Sequence, residues 1–196
     1  VDMTDLAQVE KAIQKNTKLI WAETPANPML CITDIQGLAQ IAKKHKIKLG
    51  VDNTMGTPVL QNPIAHGADI VMHATTKYIG GHSDIMGGAV LVKEDDEWAK
   101  RIERVQILMG ATPNPLDCYL LARGLKTLPL RMREHSATAL ELAKRLVKQQ
   151  GLSATTQLRP PNRSLSGLLT PCAPRLSTWV LLPRSCTASI RRRPEP

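Results

Sequence analysis

The 196-residue chain predicts an α/β fold, in which helices pack against a mostly parallel β-sheet. Short apolar runs recur through residues 1–150, and segments with apolar residues three or four apart separate them. In addition, Glu23, Asp52 and Lys77 each follow one of the apolar runs. Ligands of open α/β sheets bind beyond the carboxyl ends of the strands, so we expect these three side chains to share one crevice.

Each element follows from a local pattern. Thr4 predicts the start of a helix that runs to about Lys15, and Asp34 predicts the start of one that runs to about His45. Gly124 predicts a break between two later helices. The predicted strands are 18–22, 48–51, 69–73 and 88–92, the last as an edge strand or an antiparallel neighbour, and the later helices are 96–108, 115–123 and 128–148.

The net charge of +9 is concentrated in one part of the chain. Residues 1–150 hold 19 basic and 16 acidic residues, a net of +3, whereas residues 151–196 hold seven arginines and one acid, a net of +6. Only 3% of the residues are aromatic, so the chain lacks the stacking surface typical of nucleic-acid binders. No apolar run approaches the ~18–20 residues of a membrane helix. We therefore expect neither a nucleic-acid partner nor a membrane partner.

The four cysteines are too dispersed for a metal site or a disulfide framework, which predicts no metal and a reduced, cytoplasmic setting. All lysines lie at or before Lys148, while half of the prolines lie after it. We therefore predict that residues 151–196 form a disordered basic tail. This tail is either a segment translated out of frame or from a retained intron, or a genuine linker. Because the chain begins at Val1 rather than at a methionine, we expect a piece of a longer protein.

The most informative stretch, 51–88, contains the candidate catalytic residues. Lys77, in a turn of small residues, can bind an aldehyde cofactor as a Schiff base, and an acid such as Asp52 can keep a pyridine nitrogen protonated. This pair predicts pyridoxal 5′-phosphate (PLP). The structural alternatives are a surface lysine in a glycine loop and an aspartate in a turn.

Three further residues are candidates for binding the cofactor. The hydroxyl of Thr76, and less directly that of Thr75, can donate to a phosphate. The amide of Asn27 can reach a ring oxygen, although Asn-Pro is also an ordinary turn sequence. His73 alternates into a strand, which favours a packed histidine or one at the cofactor edge over a catalyst.

Taken together, these segments resemble the transsulfuration, or Cys/Met-metabolism, family of PLP enzymes. The motifs that carry the resemblance are ETPANP (23–28), VDNT (51–54), TKYIGGHSD (76–84) and the stretch 110–132. The resemblance implies that residues 1–150 are the central part of an incomplete fold-type I PLP domain, and that the full-length form is a homotetramer. It also implies that Lys77 is the Schiff-base lysine, Asp52 the pyridinium partner, Thr76 a phosphate ligand and Asn27 a ring-oxygen contact.

The sequence departs from the family at Ala74, where the family usually has a serine that contacts the phosphate. Nothing corresponds to the family's N-terminal portion or to its C-terminal domain. Within the family, 110–132 is most similar to the cystathionine γ-lyases, which release cysteine, 2-oxobutanoate and ammonia from a sulfur amino acid. Gln106 and Ile107 replace the lysine–aspartate pair typical of methionine γ-lyases. Cystathionine γ-synthase, β-lyase and a non-catalytic remnant bound to a full-length subunit remain alternatives.

Overall fold

A computed structural model describes residues 1–148 and 179–182 and has a five-stranded sheet at its centre. The first three strands are parallel, and each of the last two is antiparallel to the strand before it. The predicted α/β class and the antiparallel pairing of 88–92 are confirmed. In order across the sheet, the strands are β1 (Leu19–Glu23), β2 (Lys48–Asp52), β3 (Ile70–Ala74), β4 (Gly88–Val92) and β5 (Trp179–Leu182).

The helices begin where short polar side chains cap them. Asp34 accepts a hydrogen bond from the N–H of Gly37, as predicted. The first helix differs, because Asp5 rather than Thr4 is its cap, while the Thr4 hydroxyl donates to Asp2. The helices are α1 (Leu6–Ala12), α2 (Ile35–His45), α3 (Thr57–Leu60), α4 (Glu97–Leu108) and α5 (Pro115–Val147).

The predicted break at Gly124 is wrong, because α5 runs through both Gly124 and Pro129. A proline inside a helix removes one backbone hydrogen bond. Packing offsets this loss here, since Leu128 and Met132 are buried in a cluster with Ile79. Tertiary contact therefore overrides the local signals for a helix end.

The two faces of the sheet pack against different helices. Leu49 and Val51 are fully buried in a cluster with Leu38 of α2 and with Val9 of α1. On the other face, Ile70, Val90 and Val92 cluster with Ala99 of α4. The buried members of both clusters are aliphatic side chains, so the central strands are packed closely on both sides.

The predicted disordered tail, 151–196, falls mostly outside the described residues. The exception is β5, which pairs with β4 where no element was predicted. Among the residues that the structure describes, no helix has both the length and the apolar composition needed to cross a membrane.

Candidate functional site

Parallel pairing brings the ends of β1, β2 and β3 to one edge of the sheet. Glu23 is the register partner of Asp52, and Asp52 is the partner of Met72, two residues before β3 ends. The N–H of Ala74 donates to Thr54 Oγ1 at 2.7 Å, which joins the segment after β2 to the end of β3. The segments that carry Asp52 and Lys77 are therefore neighbours.

Asn53 fastens the loop that follows Asp52. Its side chain is fully buried, and its Nδ2 donates to the carbonyl oxygens of Thr57 and Gln61 at 3.2 and 2.9 Å. The Gln61 Nε2 donates to Asn53 Oδ1 and to the Thr24 carbonyl, both at 2.8 Å. The loops after β1 and β2 are thus tied together by satisfied buried polar groups, a rigid arrangement.

The carboxylate of Asp52 is half-buried and retains hydrogen-bonding capacity. Its Oδ1 accepts from the N–H of Thr54 at 2.9 Å. Within residues 1–148, no side-chain donor bonds to this carboxylate, so Oδ2 can accept from a bound group.

Lys77 lies within a turn that begins at Thr75 and has a well-defined backbone. Its N–H donates to the carbonyl of Ala74 at 3.1 Å, and its own carbonyl accepts from the N–H of Gly81 at 2.8 Å. The side chain is exposed, and in the part of the chain that the structure describes its amine makes no hydrogen bond or ion pair. The amine is therefore not engaged by another described residue.

The hydroxyl of Thr76 is already engaged with Gly87. It accepts from the Gly87 N–H at 3.0 Å and donates to the Gly87 carbonyl at 3.3 Å. The second bond is long, so its hydrogen can turn to a stronger acceptor, such as a phosphate oxygen.

Thr75 lies in a different place from Thr76. It is 2% exposed and lines a cavity of about 170 Å³ together with Met86, Gly88 and the start of α5 at Asn114. Neither Asp52 nor Lys77 is among the residues that line this cavity. The role of Thr75 as a phosphate contact stays a prediction.

Asn27 lies in the loop after β1, and its side chain is exposed. Its backbone N–H donates to Glu23 Oε1 at 3.1 Å. Glu23 thus holds this loop, and the amide of Asn27 is left to face outward.

His73 is a buried group that sequence analysis placed only in general terms. It is 3% exposed, and among the described residues its Nδ1 is the buried side-chain atom without a hydrogen-bond partner. Burial lowers the pKa of His73 to about 4, against the opposing attraction of Asp52. The ring is therefore neutral at pH 7.

The groups at this edge suit the chemistry of PLP. Asp52 offers a free acceptor for a pyridinium N–H, Lys77 offers a free amine for the aldehyde, and Thr76 offers a hydroxyl for the phosphate. For a metal the donors are lacking, because the described residues contain no cluster of three or more His, Cys, Asp or Glu side chains.

Comparison with known proteins identifies the family. A model of the Cys/Met metabolism PLP-dependent enzymes matches residues 1–158. The chain belongs to this family. PLP is the family's cofactor. The match of the family model ends at residue 158, which is eight residues past the predicted domain boundary at 150.

Individual relatives share about half of the aligned sequence. The chain is 49% identical to a cystathionine γ-synthase of Mycobacterium leprae over 154 residues, which are 79% of this chain and 39% of the relative. It is 49% identical to a putative cystathionine γ-lyase 2 of Caenorhabditis elegans over 148 residues, 74% of this chain and 38% of the relative. The chain thus spans about two fifths of these relatives' length.

A solved structure supports the fold. The cystathionine γ-lyase of Lactobacillus plantarum, complexed with L-serine, superposes with a TM-score of 0.79 at 40% identity and covers 85% of this chain and 44% of that one. The observed sheet and helices are therefore part of a fold-type I PLP domain, as the resemblance implied.

Proposed function

We propose that this chain supplies the cofactor-binding part of a PLP-dependent enzyme that cleaves a carbon–sulfur bond of a sulfur amino acid. The observation that supports it most directly is that the segments carrying Asp52 and Lys77 are neighbours at one edge of the sheet, with an acceptor atom of Asp52 and the amine of Lys77 both unengaged among the described residues. The family match adds an independent reason, since its members are PLP-dependent enzymes.

Bound PLP supplies an electron sink for negative charge that develops beside the substrate's amino group. The Lys77 amine would hold the cofactor through its aldehyde group and, when free, would accept the proton from the substrate's α-carbon. The Asp52 carboxylate would keep the pyridine nitrogen protonated through a charge-assisted hydrogen bond. Thr76 would donate to the phosphate, and the amide of Asn27 would contact the ring oxygen.

Within the family we favour cystathionine γ-lyase, which eliminates cysteine from the γ-carbon of cystathionine and leaves 2-oxobutanoate and ammonia. The similarity of 110–132 supports this member, as does the C. elegans relative named a γ-lyase. Gln106 and Ile107 argue against a methionine γ-lyase. Cystathionine γ-synthase, the name of the M. leprae relative, and β-lyase are the enzymatic alternatives.

A second candidate is a non-catalytic subunit that associates with a full-length relative. An exposed apolar surface supports association of some kind: Ile107, Leu108 and Tyr119 are 65%, 73% and 65% exposed. The same surface supports the proposal that the whole protein is a homotetramer, and we propose the cytoplasm as its location. The other large members of this surface are Val105, Met109 and Leu116.

The test is a titration of the purified chain with PLP, followed by borohydride reduction and mass mapping. We expect an absorbance change and a reduced adduct at Lys77. The Lys77→Ala variant should lose both, whereas Lys126→Ala, which removes an exposed lysine of α5, should keep both. Adducts scattered over many lysines would contradict the proposed site.

Substrate assays then separate the enzymatic candidates. Release of cysteine and 2-oxobutanoate from cystathionine supports the γ-lyase, and cleavage on the other side of the sulfur, which releases homocysteine, supports the β-lyase. Joining of cysteine to an activated homoserine supports the synthase. Co-purification with a full-length relative, without any adduct on this chain, favours the non-catalytic subunit.

A further inference from the structure

Arg131, on α5, makes four hydrogen bonds with two parts of the molecule. Its Nη1 donates to the Tyr78 carbonyl at 2.6 Å, and its Nη2 donates to the carbonyls of Gly124 and Ile79 at 2.7 and 3.4 Å. Its Nε donates to Thr127 Oγ1 at 3.0 Å. Tyr78 and Ile79 directly follow Lys77, so this one guanidinium joins α5 to the Lys77 turn.

Gly124 allows the helix to approach that turn. A Cβ atom at this position would come within 3.0 Å of the carbonyl oxygens of Ile79 and Gly80, closer than real Cβ atoms lie. Gly81 faces Arg131 in the same way, and its φ of +77° suits glycine best. Two glycines thus make room for the contact between the turn, the helix backbone and the guanidinium.

The contact also has an apolar base. Ile79 is 4% exposed and packs with Leu128 and Met132 of α5. The planar fork of an arginine directs five N–H donors in a fixed geometry, whereas a lysine has three donors on a single nitrogen. The backbone after Lys77 is therefore held both by burial and by charge-assisted hydrogen bonds.

We propose that Arg131 is a positioning residue for Lys77: its guanidinium, seated over Gly124, fixes the turn that carries the reactive amine. The importance of this role rests on the proposed function, in which the Lys77 amine binds the aldehyde and moves a proton. An error of about 1 Å in such a group can cost about 10²-fold in rate. The contacts of Arg131 with the Lys77 turn, here called the clamp, exist without cofactor and can be tested without it.

The first test measures amide hydrogen exchange in the cofactor-free chain. The N–H groups of Gly80 and Gly81 donate to the carbonyls of Thr75 and Lys77, both at 2.8 Å, and report on the turn. In Arg131→Met we expect their exchange to become at least about 10-fold faster, while amides of β2 keep their rates. Arg133→Met, which changes an exposed arginine of the same helix, should leave all of these rates unchanged.

Arg131→Lys and Gly124→Ala provide independent variants. Arg131→Lys keeps the charge but loses the fork, so a smaller acceleration at the same two amides is expected. Gly124→Ala should push the turn away by steric contact and raise the same rates. Unchanged rates at Gly80 and Gly81, or an equal rise in β2 that indicates general destabilisation, would overturn the proposal.

The second test asks whether the turn matters for the cofactor. When the chain is titrated with PLP, Arg131→Met should raise the PLP concentration that gives half-maximal Lys77 adduct by about 10-fold. Arg131→Lys should raise it less. Adduct formation that matches the wild type, despite faster exchange, would overturn the positioning role. If the wild type forms no Lys77 adduct, the proposed function fails, and the exchange data alone decide whether the clamp exists.

Discussion

The loops at the sheet edge and the helical region after β4 differ in how far their side chains are bonded or buried within the chain. At the edge, the fully buried Asn53 has its amide groups bonded within the chain, and Thr54 joins two strands. In α4, by contrast, Ala99 is the buried residue, while Ile107 and Leu108 are 65% and 73% exposed. The difference indicates that the sheet edge is held by this chain itself, whereas the helical surface is suited to contact with another surface.

Asp52→Asn should have the largest effect, because it removes the negative charge that the proposed mechanism requires at the sheet edge. An amide lacks the charge that keeps the pyridine nitrogen protonated. In the PLP-loaded chain we therefore expect the rate of α-proton exchange of a bound sulfur amino acid to fall by about 10³-fold, or about 4 kcal/mol. Asp84→Asn, at an exposed position, is the matched control. An unchanged exchange rate in Asp52→Asn would contradict the proposed catalytic role of Asp52.

Burial of the neutral His73 ring in β3 predicts that the free energy of unfolding depends on pH. Its folded pKa of about 4 lies below the ordinary value of 6.5, so between these values only the unfolded chain takes up the proton. Stability is therefore full above pH 6.5 and falls as the pH drops toward 4, by about 3 kcal/mol. Urea unfolding from pH 4 to 7 measures it, and His73→Gln should flatten the profile whereas His66→Gln should not.

Asn53→Ala tests how strongly the edge depends on its buried amide. The substitution removes the three hydrogen bonds that the Asn53 side chain makes with Thr57 and Gln61, so we expect a loss of about 2 kcal/mol in the free energy of unfolding. Thermal or urea unfolding measures it, with Gln40→Ala on the exposed side of α2 as control. A loss as small as that of the control would show that the network does not hold the loop.

The smallest effect on stability is expected on the helical surface. Replacing Leu108 and Tyr119 together with serine should change the free energy of unfolding by less than about 0.5 kcal/mol per site, because both side chains are already exposed. Sedimentation should instead show weaker self-association. Strong destabilisation without any change in association would mean that this surface is not a contact surface.

The two regions also differ in how well their sequences predicted them. The four predicted strands and the Asp34 helix agree to within a residue or two, because period, burial and capping all act over a few neighbouring residues, whereas β5 was not predicted. The cap at Asp5 and the continuous α5 were missed, since two polar residues competed for the first and distant contacts overrode Gly124 and Pro129 in the second. The i, i+7 spacing of Gly124 and Arg131 on one helix was the available signal for their shared face.

The sequence by itself determined the fold class, the family, and the candidate pair Lys77 and Asp52, because strand periodicity and short motifs are local in the chain. Only the tertiary structure decided that the Thr76 hydroxyl bonds to the backbone of Gly87, and that His73 is buried and neutral. It also brought Arg131 onto the carbonyls after Lys77, across a separation of more than 50 residues. Contacts at such a distance depend on how helices pack on the sheet, which no local pattern encodes.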